Sequence, residues 1–351
     1  MSSSERYMQR CLDLAILGAG TVSPNPMVGA VIVVEDKIIG EGYTSPYGGS
    51  HAEVNAVQAV LQSFGELRGK ELLQRSTVYV SLEPCAHFGK TAPCADMLVQ
   101  YQVQKVVVGC LDPFAKVNGL GVAKLKEAGI EVEVGVLEKE CQFLNRRFFT
   151  RIGKHRPYVI LKWAESADGF FAPKDASQRW ISNAASKQLV HKWRSEEDAI
   201  LVGTRTALID NPSLTTRLWK GKSPKRVLID KKLDVPTSNA LFQSHASDLI
   251  IFNESKTDWD AHLKYIALEN FDLYLPQQIL YQLYLMDVQS IIIEGGAKTL
   301  QQFIDAALWD EARVFVGSES WNDGIPSPNL HQAPSKEEKV GTDILRHFFK
   351  V

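Results

Sequence analysis

Four residues at a particular spacing have the makings of a reactive centre: His51, Glu53, Cys85 with Pro84 before it, and Cys94. One imidazole and two thiolates are the nitrogen and sulfur donors that zinc prefers, and three protein ligands leave one tetrahedral position open. Two thiolates also cancel the 2+ charge of the ion. Water in the open position has its pKa lowered to about 7. Glu53 is then the natural proton carrier, taking a proton from that water and delivering it to a substrate. This is zinc-assisted hydrolysis. A structural zinc site would instead be closed by a fourth protein ligand, and His87 is the residue that could supply it.

The order His-x-Glu, then Pro-Cys, then Cys matches the pattern of zinc-dependent base deaminases, in which the glutamate serves the ring nitrogen and the leaving amine. The spacing departs from the short form of that pattern. Eight residues, Ala86 to Pro93, separate the two cysteines where two are usual. The inserted segment is polar and basic, suited to an anionic substrate.

Local patterning supplies the elements that must hold these residues. Residues 5–19 carry Met8, Cys11, Leu12, Ala15 and Ile16 at helical spacing, and two prolines at 24 and 26 end the pattern. The apolar run 28–34 reads as a buried strand and 38–43 as its hairpin partner. Residues 52–63 read as a helix. Residues two apart do not share a helical face, so His51 and Glu53 must sit at its entry. Strand 77–82 ends at Glu83-Pro84, and Cys85 is expected to start the next helix, where a thiol pKa is lowered. Strands 105–111 and 130–136 and helices 121–128 and 138–149 complete an α/β sandwich. The basic, Gly- and Pro-containing stretch 151–157 is read as the connector between two domains, 1–150 and 151–351.

A second α/β pattern follows. Strands are expected at 158–164, 199–203, 226–229, 249–252, 290–293 and 312–316, and helices at 183–193 and 297–307. The last residues, 345–351, read as an edge strand. The sharpest feature is a buried strand running into Glu294-Gly295-Gly296 and then a helix. Bare glycines let backbone amides approach a phosphate at a helix N-terminus. A plain structural turn accounts for the same residues, and the spacing is not that of a Rossmann site. Lys192, Arg194, Arg205 and Arg217 form a basic set, each of which would otherwise be part of a solvated face. The turn-rich run from Asp210 to Thr215 is a candidate holder of a sugar phosphate.

Composition narrows the class. A chain of 351 residues holds about two domains. A formal net charge of −2 provides no electrostatic footprint for nucleic acid. Five cysteines, an odd and sparse set, are not a disulfide framework; Cys11, Cys110 and Cys141 read as buried apolar residues. The apolar runs are strand-sized, too short to span a bilayer, and the first residues lack a signal-peptide pattern. A cytoplasmic enzyme with no membrane partner is expected.

Taken together, the motifs resemble the bifunctional deaminase–reductase family of riboflavin biosynthesis. They are Pro24-Asn25-Pro26-Met27-Val28-Gly29, His51-Ala52-Glu53, the run Leu82 to Cys94, and Asp112-Pro113. In the second half they are Leu161-Lys162, Ser166-Ala167-Asp168-Gly169, Trp180-Ile181-Ser182, Asp210 to Thr215, and Glu294-Gly295-Gly296. The resemblance runs from Tyr7 to about Val316.

It implies an α/β protein of two domains, an N-terminal cytidine-deaminase-like α/β/α sandwich and a C-terminal dihydrofolate-reductase-like domain. The first would bind Zn2+ through His51, Cys85 and Cys94, with Glu53 moving protons, and deaminate a diaminopyrimidinone ribosylamino 5′-phosphate. Asn25, His87, Lys90 and Asp112 would contact that substrate. The second would use NADPH to reduce the ribosyl group to ribityl. Glu165, Trp180, Thr206, Asp210, Lys231, Gly296, Ala297, Lys298, Thr299, Leu300, Gln301 and Gln302 would line the cofactor. Lys162, Gln178, Arg194, Leu214, Arg217 and Glu294 would hold the substrate, with the two arginines as phosphate clamps. The expected partners are phosphorylated pyrimidines, with no nucleic acid, and a homo-oligomer is expected.

Four positions depart from the family pattern: Phe114-Ala115 replaces Asn-Pro, Glu165 replaces a small residue, and Lys231 replaces Ser near the NADPH phosphate. A lysine at 231 either binds the 2′-phosphate or is a surface charge. Two other readings compete. One is a monofunctional deaminase with a degenerate C-terminal module, against which stand Arg194, Asp210, Arg217 and Glu294. The other is a nucleic-acid base deaminase, which the absence of a basic excess disfavours.

Overall fold

A computed structural model of the chain describes residues 2–86, 92–114, 117–175 and 181–350. The chain divides into two compact units, Met1–His155 and Arg156–Val351.

The first unit runs α1 (Ser3–Ala15), β1 (Gly29–Val34), β2 (Lys37–Tyr43), α2 (Ala52–Phe64), α3 (Glu66–Leu73), β3 (Thr77–Leu82), α4 (Cys94–Gln100), β4 (Lys105–Cys110), α5 (Leu120–Glu127), β5 (Glu131–Val134), α6 (Glu138–Leu144) and α7 (Arg146–Lys154). Its sheet has the order β2-β1-β3-β4-β5. β1 is antiparallel to both β2 and β3, whereas β3, β4 and β5 are parallel. A strand covered on both faces reads as a continuous apolar run, and every residue of β1 is buried. α1 starts with a capping box in which Ser2 and Glu5 satisfy each other's backbone amides. Cys11, Cys110 and Cys141 are all fully buried.

The second unit runs β6 (Tyr158–Glu165), β7 (Phe170–Ala172), α8 (Ala184–Glu196), β8 (Ala199–Gly203), α9 (Thr204–Asp210), β9 (Lys225–Ile229), α10 (Ala240–Gln243), β10 (Leu249–Asn253), β11 (Asp258–Trp259), β12 (Leu263–Ala267), α11 (Leu275–Leu285), β13 (Ser290–Ile293), α12 (Ala297–Asp305), β14 (Glu311–Val316), β15 (Ile325–Pro326), β16 (Lys336–Val340) and β17 (Asp343–Phe349). One long sheet has the order β11-β12-β10-β9-β8-β13-β6-β14-β17-β16. From β12 to β14 all neighbours are parallel. Alternation sorts β6 between two cores. Val159, Leu161 and Trp163 share one core with Leu280, Leu283 and Phe303 of α11 and α12. Tyr158 and Ile160 share the other with Val190 and Trp193 of α8. Helices therefore cover both faces.

Four local expectations need correction. Cys85 lies in an irregular segment, and the helix begins at Cys94. Proline ends a strand as readily as it opens a helix, and here Pro84 does the former while Pro93 is the N-cap. The stretch 138–149 is broken at Asn145 into α6 and α7, and α7 continues through 151–154, so that the polar stretch is largely helical. β17 is not an edge strand, because β16 pairs along its outer side. Finally, α3, α11, β11, β12 and β16 are regular elements that periodicity alone did not assign.

Candidate functional site

In the first unit His51 is the N-cap of α2, with an extended backbone, and Glu53 follows in the first turn. Two glycines let this helix lie close on β2. A Cβ at Gly42 would stand 2.4 Å from the Ala52 carbonyl, and one at Gly40 would stand 2.5 Å from that of Ala56. The Asn55 amide donates to the carbonyl of Tyr43 at 2.7 Å, which ties the loop before His51 to the helix.

His51 Nδ1 lies 3.6 Å from Cys85 Sγ and 3.3 Å from Cys94 Sγ. The three donor atoms all lie within 4.8 Å of one another, and among the described residues they form the group suited to a metal ion. A tetrahedral ion about 2.0 Å from nitrogen and about 2.3 Å from sulfur requires N···S separations of roughly 3.5 Å. The donor set therefore fits zinc. The thiols also compete for protons: hydrogen bonding from Cys94, then His51, outweighs burial and holds the Cys85 thiol down to about 4. Cys94 is pushed well up by its hydrogen bond with Cys85 and by burial. A divalent cation satisfies both sulfurs at once.

Glu53 is 4% exposed. Burial, then the neighbouring Cys85, pushes its carboxyl up to about 7 against the pull of His51. A carboxyl so placed can both take up and release a proton near neutrality. Asp112 is likewise raised to about 6 by burial, with Glu83 and Cys85 adding to it.

Sequence reasoning quoted Glu83 only as part of a motif, and its role is plain in three dimensions. It is buried and accepts from four backbone amides: Asp112 at 3.2 Å, Gly119 at 2.9 Å, Gly121 at 2.9 Å and Val122 at 3.1 Å. It thus ties the segment bearing Asp112 to the strand end that leads into Cys85. Charge-assisted hydrogen bonds contribute roughly 1.5–3 kcal/mol each. Glu83→Gln points an amide group at donors and is expected to destabilise the unit by about 3 kcal/mol. Thermal unfolding would then shift by several degrees; an unchanged midpoint would show that the four amides do not need the carboxylate. Asn145 plays a similar part: its side chain donates to the carbonyl of Met27 and accepts from its amide, both at 2.8 Å, which fixes the loop carrying Asn25.

In the second unit Arg194, from the last turn of α8, meets Glu294 just beyond β13. Nη2 donates to Oε2 at 2.8 Å and Nε to Oε1 at 3.4 Å. Both side chains are 11% exposed. Burial alone would raise the Glu294 carboxyl, yet Arg194 and then Lys162 hold it down to about 2. Lys162 itself is lowered by burial and by Arg194, against Glu294. Arg217 joins through its backbone amide, which donates to His191 Nδ1 at 3.0 Å, and through its guanidinium, which reaches the Thr215 hydroxyl at 3.1 Å. Burial, then Arg194 and Arg217, lowers His191 to about 4, so at neutral pH it is an uncharged acceptor. Leu214, on the same loop, is buried with a left-handed backbone.

Of the basic set, Arg194 and Arg217 come together here. Lys192 pairs with Glu196 along α8, and Arg205 is exposed.

The glycine turn adjoins this cluster in sequence. Gly296 is the N-cap of α12, with no side-chain cap. A Cβ at Gly295 would stand 3.0 Å from Thr299 Cβ, and one at Gly296 would stand 3.2 Å from Thr206 Oγ1. Bare backbone facing a helix N-terminus fits a dinucleotide phosphate. Along α12, Lys298 is exposed, Thr299, Gln301 and Gln302 are half-buried, and Leu300 turns into the core. Asp210 ends α9, and burial raises its carboxyl. Glu165 accepts from the Trp163 indole at 2.9 Å and lies 3.8 Å from Arg346. Lys231 faces Glu254 and Asp272. His87, Lys90, Gln178 and Trp180 lie outside the described residues.

Comparison with known proteins covers both halves. Residues 1–110 match the cytidine and deoxycytidylate deaminase zinc-binding region, and residues 157–319 match the RibD C-terminal domain. The riboflavin biosynthesis protein RibD of Aquifex aeolicus is 36% identical, over 98% of each chain. The crystal structure of a diaminohydroxyphosphoribosylaminopyrimidine deaminase/5-amino-6-(5-phosphoribosylamino)uracil reductase from Thermotoga maritima superposes with a TM-score of 0.89 at 34% identity, covering 99% of both chains. Acinetobacter baumannii RibD superposes with a TM-score of 0.85 at 31% identity, covering 99% of this chain and 98% of that one. No helix among the described residues is long and apolar enough to cross a membrane. Because the likeness spans a deaminase half and a reductase half together, a monofunctional reading gives way, and the chain belongs to the RibD family of bifunctional deaminases and NADP-dependent reductases of riboflavin biosynthesis.

Proposed function

We propose that the first unit hydrolytically deaminates 2,5-diamino-6-ribosylamino-4(3H)-pyrimidinone 5′-phosphate, and that the second reduces the product, 5-amino-6-(5-phosphoribosylamino)uracil, to its ribityl form. The observation that carries the first step is the convergence of His51, Cys85 and Cys94 beside a buried Glu53. When bound, zinc supplies an activated water and NADPH supplies the hydride. His51, Cys85 and Cys94 would hold the ion. Glu53 takes one proton from the attacking water and returns it to the ring nitrogen; a second proton goes to the departing amine, which leaves as ammonia. Asn25 and Asp112 orient the pyrimidine, on loops held by Asn145 and Glu83.

In the second unit Arg217 and Arg194 line the site for the phosphorylated sugar. Arg194 is already committed to Glu294, so Arg217 is the freer cation for the phosphate. Lys162, half-buried and in the field of Glu294, would donate a proton as the sugar carbon accepts a hydride. Gly295, Gly296 and Thr206 frame the dinucleotide. Asp210, Lys298, Thr299 and the two glutamines at 301 and 302 belong to the same reading.

The test separates the two steps. Chelation should abolish oxidation of NADPH when the diamino compound is supplied, and leave it intact when the deaminated intermediate is supplied. Readdition of zinc should restore the first. Oxidation with the diamino compound that survives complete metal removal would overturn the assignment of the first unit.

A further inference from the structure

Past the Gly295-Gly296 turn, on the carboxyl edge of the same parallel sheet, lies an open cavity of about 450 Å³. Lys231, which follows β9, and Glu254, which follows β10, form part of its wall. The segment after β12, from Leu268 to Leu273 and including Glu269, Phe271 and Asp272, forms the rest. Contacts lead from the turn towards it. Gly296 abuts Thr206 of α9. Thr204, at the start of that helix, donates to the carbonyl of Ile229 at 2.8 Å and to the Asp230 carboxylate at 3.2 Å, and Asp230 adjoins Lys231. Strands lie about 4.8 Å apart, so two to four strand steps place the cavity roughly 10–20 Å from the turn. Ligands of open α/β sheets bind along this carboxyl edge. A dinucleotide whose phosphates rest on the glycine turn can extend its adenosine to the cavity, where buried Phe271 offers an apolar wall.

The charges there are unusual for a 2′-phosphate pocket. Lys231 is held 2.5 Å from Asp272 and 3.7 Å from Glu254, and Glu269 adds a third carboxylate. Carboxylates at this position accept hydrogen bonds from a ribose 2′-hydroxyl, whereas a 2′-phosphate calls for an uncommitted cation. Here one cation is shared between two carboxylates, with the third on the same wall. Its attraction for a phosphate is offset, and a free ribose diol has acceptors waiting. We infer that the adenosine end of the dinucleotide lies in this cavity, and that Lys231, Glu254 and Asp272 together let the reductase accept NADH about as readily as NADPH. The inference rests on the reading of the second unit as the dinucleotide-dependent reductase.

Calorimetric titration of the full chain with 2′,5′-ADP and with 5′-AMP tests it, with NADPH as the reference ligand. The expected preference for 2′,5′-ADP is less than tenfold in the wild type. Glu254→Gln with Asp272→Asn frees Lys231 and should raise that preference at least tenfold at low salt; adding Lys231→Ala should abolish the gain. A wild-type preference of tenfold or more overturns the inference, as does a ratio unmoved by the double substitution. Binding of NADPH without binding of either fragment overturns it too, because the adenosine then lies elsewhere. Failure of NADPH itself to bind strikes instead at the reductase reading. All three side chains are partly or largely exposed, so the variants are expected to fold.

Discussion

Glu53→Gln lowers the rate of deamination by roughly 10²- to 10⁴-fold, the usual contribution of a general acid–base group, and leaves the zinc content of the protein unchanged. Glutamine keeps the shape of the side chain and cannot carry a proton. Glu53 is not a ligand: the three donors come from the N-cap of α2, the irregular segment after β3 and the first residue of α4. The substitution therefore separates proton transfer from metal binding. Single-turnover deamination, read beside metal analysis of the same sample, measures both. A variant that deaminates at the wild-type rate removes Glu53 from the reaction. One that loses its zinc makes the carboxylate a structural support for the centre. Reduction of the deaminated intermediate should proceed unchanged.

The clustering of His51, Cys85 and Cys94 was legible in the sequence because the chemistry expected of them restricts residue type: few sets other than His, Glu, Cys and Cys suit zinc and proton transfer together. The strand pattern was legible for a related reason. Strands buried on both faces, such as β1, β8 and β13, must be apolar along their whole length. What escaped was whatever depends on distant partners. Glu83 contacts amides 29 to 39 residues away, and no local pattern distinguishes that role from an exposed carboxylate. Nor does local pattern show that Arg194 meets Glu294 at a separation of 100 residues; resemblance placed both in one site, and the fold provides the reason, since α8 covers β6 and β6 is flanked by β13. The helix start fell at the second cysteine rather than the first because two Pro-Cys pairs offer identical local cues. β17 read as an edge because its partner β16 is polar and exposed, with no strand-like alternation of its own.

Arg194→Met provides the second large effect, and its size shrinks as pH falls. In the wild type the Glu294 carboxyl is held at about 2, below its ordinary value near 4.5. A depressed carboxyl contributes stability above the unfolded-state pKa, and that contribution is lost as pH falls towards the folded-state value. Between pH 7 and pH 3 the group should account for about 2 kcal/mol of lost stability in the second unit, at about 1.4 kcal/mol per pH step below 4.5. Methionine fills much of the arginine's volume and removes its charge. Glu294 then keeps Lys162 as its cation, while burial, already the largest influence on it, works unopposed by the guanidinium. At pH 7 the variant should be about 3 kcal/mol less stable, as is typical when a buried pair loses one partner. On acidification it should recover relative to the wild type, because protonation relieves the stranded carboxylate. Urea unfolding at pH 7 and pH 4 reads both. Adding Glu294→Gln should rescue most of the loss at pH 7 and abolish the pH dependence of the difference. A variant whose deficit is the same at both pH values would show that Glu294 does not depend on Arg194 for its charge, and the phosphate-binding role proposed for Arg194 would then have to be argued independently of that pair.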